Sequence, residues 1–286
     1  MPWVGSPAVP ADDDAIPSPR HALRLMALEI ERTLDGDVRG WLPVNDHVRS
    51  PSGGPGLAAV AMLVDALGGA RSVPAAAPDW AITADLSIHL LPVGPASTIE
   101  GEVHVRRRGR RTLVLDVDLL TADGAPAGTA TVSFTVVARP DHLADVTFDF
   151  PTERSLLVPP LGGGLDVTLD RPYVDELGIE LVEPGVVTIE LRPEVSNSLR
   201  ALHGAVHTAM IDEASASLGR ELLGPGAETS EVHLAFLELA RPGPLRAEAT
   251  PFGPPSTEGD RLTAEVRLVD GNGRLCSYAT TAVVAP

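Results

Sequence analysis

The sequence predicts an α+β chain of two similar halves, in each of which an antiparallel sheet follows one apolar helix. Two apolar, helix-like segments each carry a carboxylate in the middle, Asp65 and Asp212. Four segments that alternate apolar and polar residues follow each helix. Related positions lie 147 residues apart, both from Asp65 to Asp212 (212 minus 65) and from Asp123 to Asp270 (270 minus 123). We therefore expect an internal duplication.

Composition bounds the class of protein. The 286 residues, 44% of them hydrophobic, are enough for a substantial core and about two domains. A net charge of -17 argues against a surface that binds nucleic acid or an anionic membrane, because both are negatively charged and bind positively charged proteins. There is no lysine, which excludes a P-loop lysine and a Schiff-base or pyridoxal-phosphate enzyme. Cys276 is the only cysteine, which excludes an intrachain disulfide and a cysteine metal cluster.

Targeting and metal signals are weak. Asp65 interrupts the longest apolar run, so that no run reaches 18 residues and we expect no membrane span. Residues 1–19 are rich in Pro and Asp and predict a disordered tail, not a signal peptide, which favours a cytoplasmic protein. His203 and His207 have helical spacing but no carboxylate ligand in the pattern, so we expect no metal.

The first predicted domain spans residues 20–139. Helical spacing of apolar residues predicts a helix from His21 to Leu34, and Trp41 to Ser52 is typical of a loop or short strand. A second helix is predicted from Leu57 to Leu67. Alternation then predicts four strands: Ile82 to Leu91, Ser97 to Arg108, Arg111 to Leu120 and Gly128 to Ala138.

A Pro- and Gly-rich linker is predicted over residues 140–164, in which Val146 to Phe150 could add an edge strand. The second domain, 165–286, begins with a strand pair from Ile179 to Leu191 and continues with a helix from roughly Ala205 to Leu222. Four more strands follow: Glu231 to Leu239, Pro244 to Thr250, Arg261 to Asp270 and Arg274 to Val284.

A polar loop and the dipeptide His203-Gly204 lie directly before this second helix. A glycine there lets the backbone approach a ligand closely, and the free amides of the first helical turn can polarise a carbonyl. Opposite a carboxylate, such amides form the usual pair for acyl-transfer hydrolysis: an oxyanion site and a general base or nucleophile.

The order and spacing of Asn197, His203-Gly204, Asp212 and Thr229 resemble those of PaaI-like hotdog-fold acyl-CoA thioesterases. Ala205 replaces the usual second glycine of that family. The resemblance implies two tandem hotdog domains, each a curled antiparallel sheet wrapped around a central helix. It also implies an acyl-CoA substrate and no cofactor other than the coenzyme A of that substrate.

The resemblance further implies an active site shared between two domains. One site would join Asn197, His203 and Gly204 of the second half with Asp65 and Thr83 of the first half. The Gly204 amide would polarise the thioester carbonyl. Asp65 would act as base or nucleophile, Thr83 would bond to Asp65 or to the water, and Asn197 would orient the water or the carbonyl.

A second site would use Asp212 and Thr229. The first half offers Ser52-Gly53-Gly54-Pro55-Gly56 where His-Gly is expected, so we expect this site to be impaired. Either carboxylate could instead be a structural lock, bonded to loop amides. For His203, the interpretation as a core histidine that shapes the turn competes with a direct catalytic role.

The arginines around Gly109 form the only dense basic cluster, and Arg107 and Arg110 are candidates to bind coenzyme A phosphates; a solvated hairpin tip is the alternative. The chain could also be a non-catalytic acyl-CoA-binding module. A double-hotdog hydratase or dehydratase is disfavoured, because no Gly-Asp-x-Asn-Pro-x-His run occurs. Pairing through sheet edges or faces would give a homodimer.

Overall fold

The computed structural model describes residues 20–33, 36–145, 154–156, 169–256 and 260–285. The predicted tail, Leu34, the Val146 to Phe150 edge strand and most of the linker lie outside the described residues. The domain boundaries therefore stay a prediction.

A single antiparallel sheet of 13 strands and two long helices that pack against each other form the described chain. From one edge to the other, the strands are β7 (Ser155–Leu156), β1 (Glu29–Arg32), β2 (Val38–Pro43), β4 (Thr98–Arg108), β5 (Thr112–Thr121), β6 (Pro126–Val137), β3 (Trp80–Leu90), β10 (Glu228–Phe236), β13 (Leu275–Val284), β12 (Arg261–Val269), β11 (Leu245–Pro251), β9 (Val186–Ile189) and β8 (Glu180–Glu183). The middle of the sheet is the pairing of β3 with β10, which places Leu86 opposite Leu234 and Ile88 opposite Val232. This architecture confirms the predicted mixed chain with a large antiparallel sheet and central helices.

The first long helix, α2, is rich in Ala, Leu and Val, and most of its residues are buried. Glycines on the facing strands let it lie close to the sheet, because a Cβ added at Gly40 or Gly101 would come 2.8 or 2.6 Å from the Leu67 side chain. The α-helices before the linker are α1 (Ala22–Leu25), ahead of β1, and α2 (Leu57–Ala76), between β2 and β3.

The second long helix, α4, also precedes four antiparallel strands. A Cβ added at Gly219 would come 2.4 Å from the Val283 side chain, so a small residue lets α4 approach β13. The later α-helices are α3 (Tyr173–Leu177), ahead of β8, and α4 (Gly204–Leu223), between β9 and β10.

The predicted helix from His21 to Leu34 is wrong. The helix ends after one turn at Leu25, Ala27 takes a left-handed conformation with φ of 48°, and Glu29–Arg32 pairs with β2 as a strand. Ile30 is buried by this pairing, so tertiary packing overrides the local helical pattern. The predicted linker also contributes structure, because Ser155–Leu156 pairs with β1.

By length and composition alone, α2 could cross a membrane, but 67% of its apolar window is buried inside the protein. A buried core helix satisfies the same criterion. The two turns beyond the predicted end at Leu67 lengthen α2 as far as Ala76.

Candidate functional site

A cavity of about 400 Å³ lies between α2, the start of β3, the loop that precedes α4 and the segment that follows β10. Five of the residues singled out in the sequence line it together: Asp65, Thr83, Asn197, His203 and Gly204. Asp65 and Thr83 come from the first half of the chain, and the others come from the second half. The structure thus brings together residues that are more than 100 positions apart.

Asp65 reaches this cavity from the middle of α2. Its side chain is 12% exposed, and Thr83 Oγ1 donates a long hydrogen bond of 3.4 Å to Asp65 Oδ1. His203 Nδ1 lies 3.4 Å from Asp65 Oδ2. The carboxylate therefore has few protein partners and keeps lone pairs available to a ligand or water.

The first turn of α4 faces the Asp65 carboxylate. A Cβ built on Gly204 would lie 3.0 Å from Asp65 Oδ1, so a side chain here would displace the carboxylate by a few tenths of an ångström, and glycine allows the close approach. The Gly204 amide is at the first position of the helix, where it has no intrahelical acceptor. The positive end of the helix dipole is directed to the same place, which favours negative charge there.

His203 is the N-cap of α4. Its Nδ1 accepts a hydrogen bond from the Ala205 amide at 3.3 Å, and its side chain is 11% exposed. Because Nδ1 is used as an acceptor, it cannot at the same time donate to Asp65. The contact with Ala205 supports the interpretation of His203 as a residue that shapes the turn.

Asn197 holds the loop that leads to α4. Its Oδ1 accepts hydrogen bonds from the amides of Leu199 at 2.9 Å and Ala201 at 3.2 Å, and its Nδ2 donates to the Leu202 carbonyl at 3.4 Å. Arg200 in this loop has a φ of 56°, a left-handed conformation that costs about 1 kcal/mol for a non-glycine residue. The Asn197 side chain thus stabilises a strained turn at the cavity wall.

Asp212 has a different environment. Its Oδ2 accepts a hydrogen bond from the Ala58 amide at 2.9 Å, at the N-terminus of α2, and Thr229 Oγ1 donates to the Asp212 main-chain oxygen at 3.3 Å. Burial raises the pKa of Asp212 to about 7, an effect that the hydrogen bond from the Ala58 amide to the carboxylate only partly offsets. Neither Asp212 nor Thr229 lines the large cavity.

The structure does not bring Arg107 and Arg110 to the large cavity. They lie at the tip of the β4–β5 hairpin, where Arg108 donates a hydrogen bond of 2.9 Å to the Ala75 carbonyl at the end of α2. Arg110 lines a smaller cavity of about 210 Å³, which shares Ala81 with the large one.

Two buried residues near the site were not assigned to it from the sequence. His207 lines the cavity, bonds through Nδ1 to Ser277 Oγ at 3.2 Å, and has a pKa lowered to about 3 by burial and by nearby His203. Tyr173 in α3 is buried; its pKa is raised by burial and by the Asp65 carboxylate. The i,i+4 spacing pointed to His207, whereas no local pattern links Tyr173 to Asp65.

Comparison with solved structures finds the same fold in several thioesterases. A protein from Novosphingobium aromaticivorans named as a thioesterase matches with a TM-score of 0.58 at 19% identity, covering 90% of this chain and 98% of that one. A protein from Thermobifida fusca named as a thioesterase II matches with a TM-score of 0.56 at 18% identity, covering 94% of this chain and 99% of that one. The 12:0-ACP thioesterase of Umbellularia californica matches with a TM-score of 0.56 at 13% identity, covering 87% and 97%.

No protein-family model matches the chain, and a search of curated proteins finds no match. The structural matches show a hotdog-type fold over nearly the full length of the matched chains. At these identities they establish the fold alone.

Proposed function

We propose that the chain is a thioester hydrolase that cleaves acyl-CoA to a free acid and coenzyme A. In this proposal it consists of two tandem hotdog domains of the PaaI-like type, with one composite site between them. The named activity of the structural neighbours supports thioester hydrolysis at the general level.

One observation carries the proposal. Asp65 of the first half faces the Gly204 end of α4, with 3.0 Å between Asp65 Oδ1 and the position of a Gly204 Cβ, and both residues line the same large cavity. A carboxylate and a helix-terminal amide that lie close together and line the same cavity are what acyl transfer requires: one group to activate the attacking atom and one to stabilise the oxyanion.

The reaction would begin with the thioester carbonyl oxygen at the Gly204 amide. Asp65 accepts a proton from water as the water oxygen bonds to the carbonyl carbon, and the oxyanion is stabilised by the amide and the helix dipole. Collapse of this intermediate breaks the carbon–sulfur bond, and the thiolate receives the proton, which leaves acid and thiol. In the alternative, Asp65 attacks the carbonyl carbon itself, the carbon–sulfur bond breaks and the thiolate leaves. Water then hydrolyses the resulting mixed anhydride to the free acid and the Asp65 carboxylate, and the proton released goes to the thiolate.

The remaining residues would position these two groups. Thr83 orients the Asp65 carboxylate through its hydroxyl, and His203 fixes the turn that presents Gly204. Asn197 keeps the loop in place through its bonds to the Leu199 and Ala201 amides. We assign a structural role to Asp212 and Thr229 and not a second active site, because the Asp212 carboxylate already accepts a hydrogen bond from the Ala58 amide.

A panel of acyl-CoAs tests the proposal through the rate at which free thiol is released. We expect turnover that depends on Asp65, and the same acyl groups on acyl carrier protein show which carrier is used. Binding of acyl-CoA without thiol release would support the non-catalytic alternative and contradict hydrolysis.

The arginine hairpin is tested in the same assay. If Arg107 and Arg110 bind coenzyme A phosphates, Arg107→Ala and Arg110→Ala raise the KM for acyl-CoA severalfold and leave kcat nearly constant. An unchanged KM discards the phosphate role and leaves a solvated hairpin tip.

A further inference from the structure

The cavity has a polar end and an apolar end. The polar end holds Asp65, Thr83 and the loop before α4, while Leu237 and Glu238, both exposed, line the rim. Beyond Asp65 the wall follows one face of α2 through Gly69 and Ala70 to Val73, positions one to two turns further along the helix. Eight residues of helix correspond to about 12 Å of wall.

Apolar side chains line this part of the wall. Val73, Trp80 and Phe134 contribute to it, Trp80 packs against Val73, and Trp80 and Phe134 are each less than 5% exposed. Of the described residues that line the cavity, only Asp65 and Glu238 carry a carboxylate, and both lie at the polar end or the rim. The far end therefore suits an uncharged hydrocarbon chain.

Two adjacent glycines in α2 have opposite surroundings. A Cβ added at Gly68 would lie 2.8 Å from Cζ of Phe134, so Gly68 is required for packing. A Cβ added at Gly69 meets nothing within 4 Å, and Gly69 lines the cavity. Packing therefore explains Gly68 but not Gly69.

Gly69 is also unfavourable for its own helix. Glycine in a helix interior is less favourable than alanine because it loses more backbone entropy on folding. The backbone of Gly69 does not have a positive φ, so the backbone conformation does not require glycine there. The absence of a side chain at position 69 therefore serves to leave this part of the cavity open.

We infer that Gly69 sets the depth of an acyl-binding channel, so that the substrate is the thioester of a linear, unfunctionalised aliphatic acid whose chain runs along α2 past Gly69. This inference rests on the proposed function. A side chain at position 69 would occupy the channel one turn beyond Asp65 and would exclude the distal methylene groups of the substrate.

The test compares the wild-type protein with Gly69→Leu and Gly69→Ala, using saturated acyl-CoAs from butanoyl to hexadecanoyl. We expect Gly69→Leu to lower the ratio of kcat/KM for long chains to that for short chains by roughly 10- to 100-fold, because each excluded methylene costs roughly fourfold. Gly69→Ala should give a smaller change of the same sign. The same ratio in all three proteins would overturn the inference.

Thermal unfolding provides the matched control. Both substitutions at Gly69 should leave the melting temperature unchanged or higher, whereas Gly68→Ala should lower it, because its Cβ meets the Phe134 ring. A lower melting temperature for Gly69→Ala would show that position 69 is packed and would overturn the inference.

A binding experiment separates this inference from the proposed activity. The dissociation constants of free saturated fatty acids of the same lengths are measured by calorimetry for the wild-type protein and Gly69→Leu. If the wild type releases no thiol but Gly69→Leu selectively weakens binding of the long acids, hydrolysis fails and the channel stands. If thiol is released and binding of long acids is unaffected by Gly69→Leu, the channel fails and hydrolysis stands.

Discussion

Asp65 and Asp212 occupy matching positions in the two long helices, 147 residues apart, yet their carboxylates have different surroundings. Asp65 faces a cavity, and its contacts with Thr83 Oγ1 and His203 Nδ1 are both 3.4 Å long. Asp212 is half-buried, as Asp65 is, but its carboxylate accepts the Ala58 amide at 2.9 Å. At the same helical position, the carboxylate therefore faces a cavity in one half and is hydrogen-bonded to a backbone amide in the other.

The residues at the opposing helix ends account for this difference. With the same offset of 147, His203 matches Gly56, Gly204 matches Leu57, and Ala205 matches Ala58. The His203 side chain accepts the Ala205 amide, which keeps that amide from Asp65. Gly56 has no side chain to cap α2, so the Ala58 amide bonds to Asp212 instead. A single capping side chain thus separates an available carboxylate from an occupied one.

The largest expected difference is in turnover. Asp65→Asn should lower kcat by about 10²- to 10⁴-fold, the usual contribution of a positioned acid or base. Asp212→Asn keeps the shape and an acceptor for the Ala58 amide, so its kcat should stay close to that of the wild type. Thiol release under saturating acyl-CoA measures both variants. Equal losses of kcat in the two variants would mean that Asp65 and Asp212 do not differ in their contribution to turnover.

The approach of Gly204 to Asp65 gives the next effect. In Gly204→Ala the new methyl group would lie 3.0 Å from Asp65 Oδ1 and must displace the carboxylate or the turn. We expect kcat/KM to fall roughly 10- to 100-fold, because small misplacements of reacting groups are costly. Alanine favours helix over glycine, so the melting temperature should not fall. An active Gly204→Ala variant would exclude a role for this close approach.

The Asp212 carboxyl should make stability depend on pH. It titrates at about 7 in the folded protein against 3.8 in an unperturbed chain, because burial disfavours the charged form. Between these values the folded chain holds a proton that the unfolded chain has lost, so raising the pH costs up to about 4 kcal/mol of unfolding free energy.

Asp212→Asn removes this titration. Chemical denaturation across the same pH range should then show a flatter profile for the variant than for the wild type, with the largest difference above the folded pKa. Parallel profiles would mean that Asp212 is not desolvated as described.

The smallest effect concerns the cap itself. His203→Gly reproduces the first-half arrangement, and the freed Ala205 amide should turn to Asp65 and lower kcat roughly tenfold, the effect of one hydrogen bond to a charged group. His203→Asn keeps an N-cap acceptor and should retain more activity. The kcat values of the two variants, measured by steady-state kinetics, test this explanation. A more active His203→Gly variant would contradict the capping explanation.

Much of the fold was accessible from local patterns. The strands of β3 to β6 and of β10 to β13 alternate clearly, and their turns carry glycine, so their positions were predicted to within a few residues. The segment around Ile30 was not, because its helical spacing is overridden by pairing with β2. The last two turns of α2 also escaped prediction, since Val73 and Pro74 are poor helix formers in isolation.

The site was partly predictable for a related reason. The repeat offset and the His203-Gly204 motif pointed to Asp65 and Gly204 as site residues. Whether a backbone amide bonds to each carboxylate depends, however, on the N-cap residue of the helix in the other half. Nor does the dipeptide Gly68-Gly69 reveal that one glycine packs against Phe134 and the other faces open space. Contacts of this kind are set by tertiary packing, which local sequence does not encode.

A crystal structure of Asp65→Asn with an unhydrolysed acyl-CoA tests the central claim most directly. The account predicts the thioester carbonyl oxygen within about 3 Å of the Gly204 amide, its carbonyl carbon on the side of residue 65, and the acyl chain along α2. A thioester bound beside Asp212, or away from the end of α4, would contradict it.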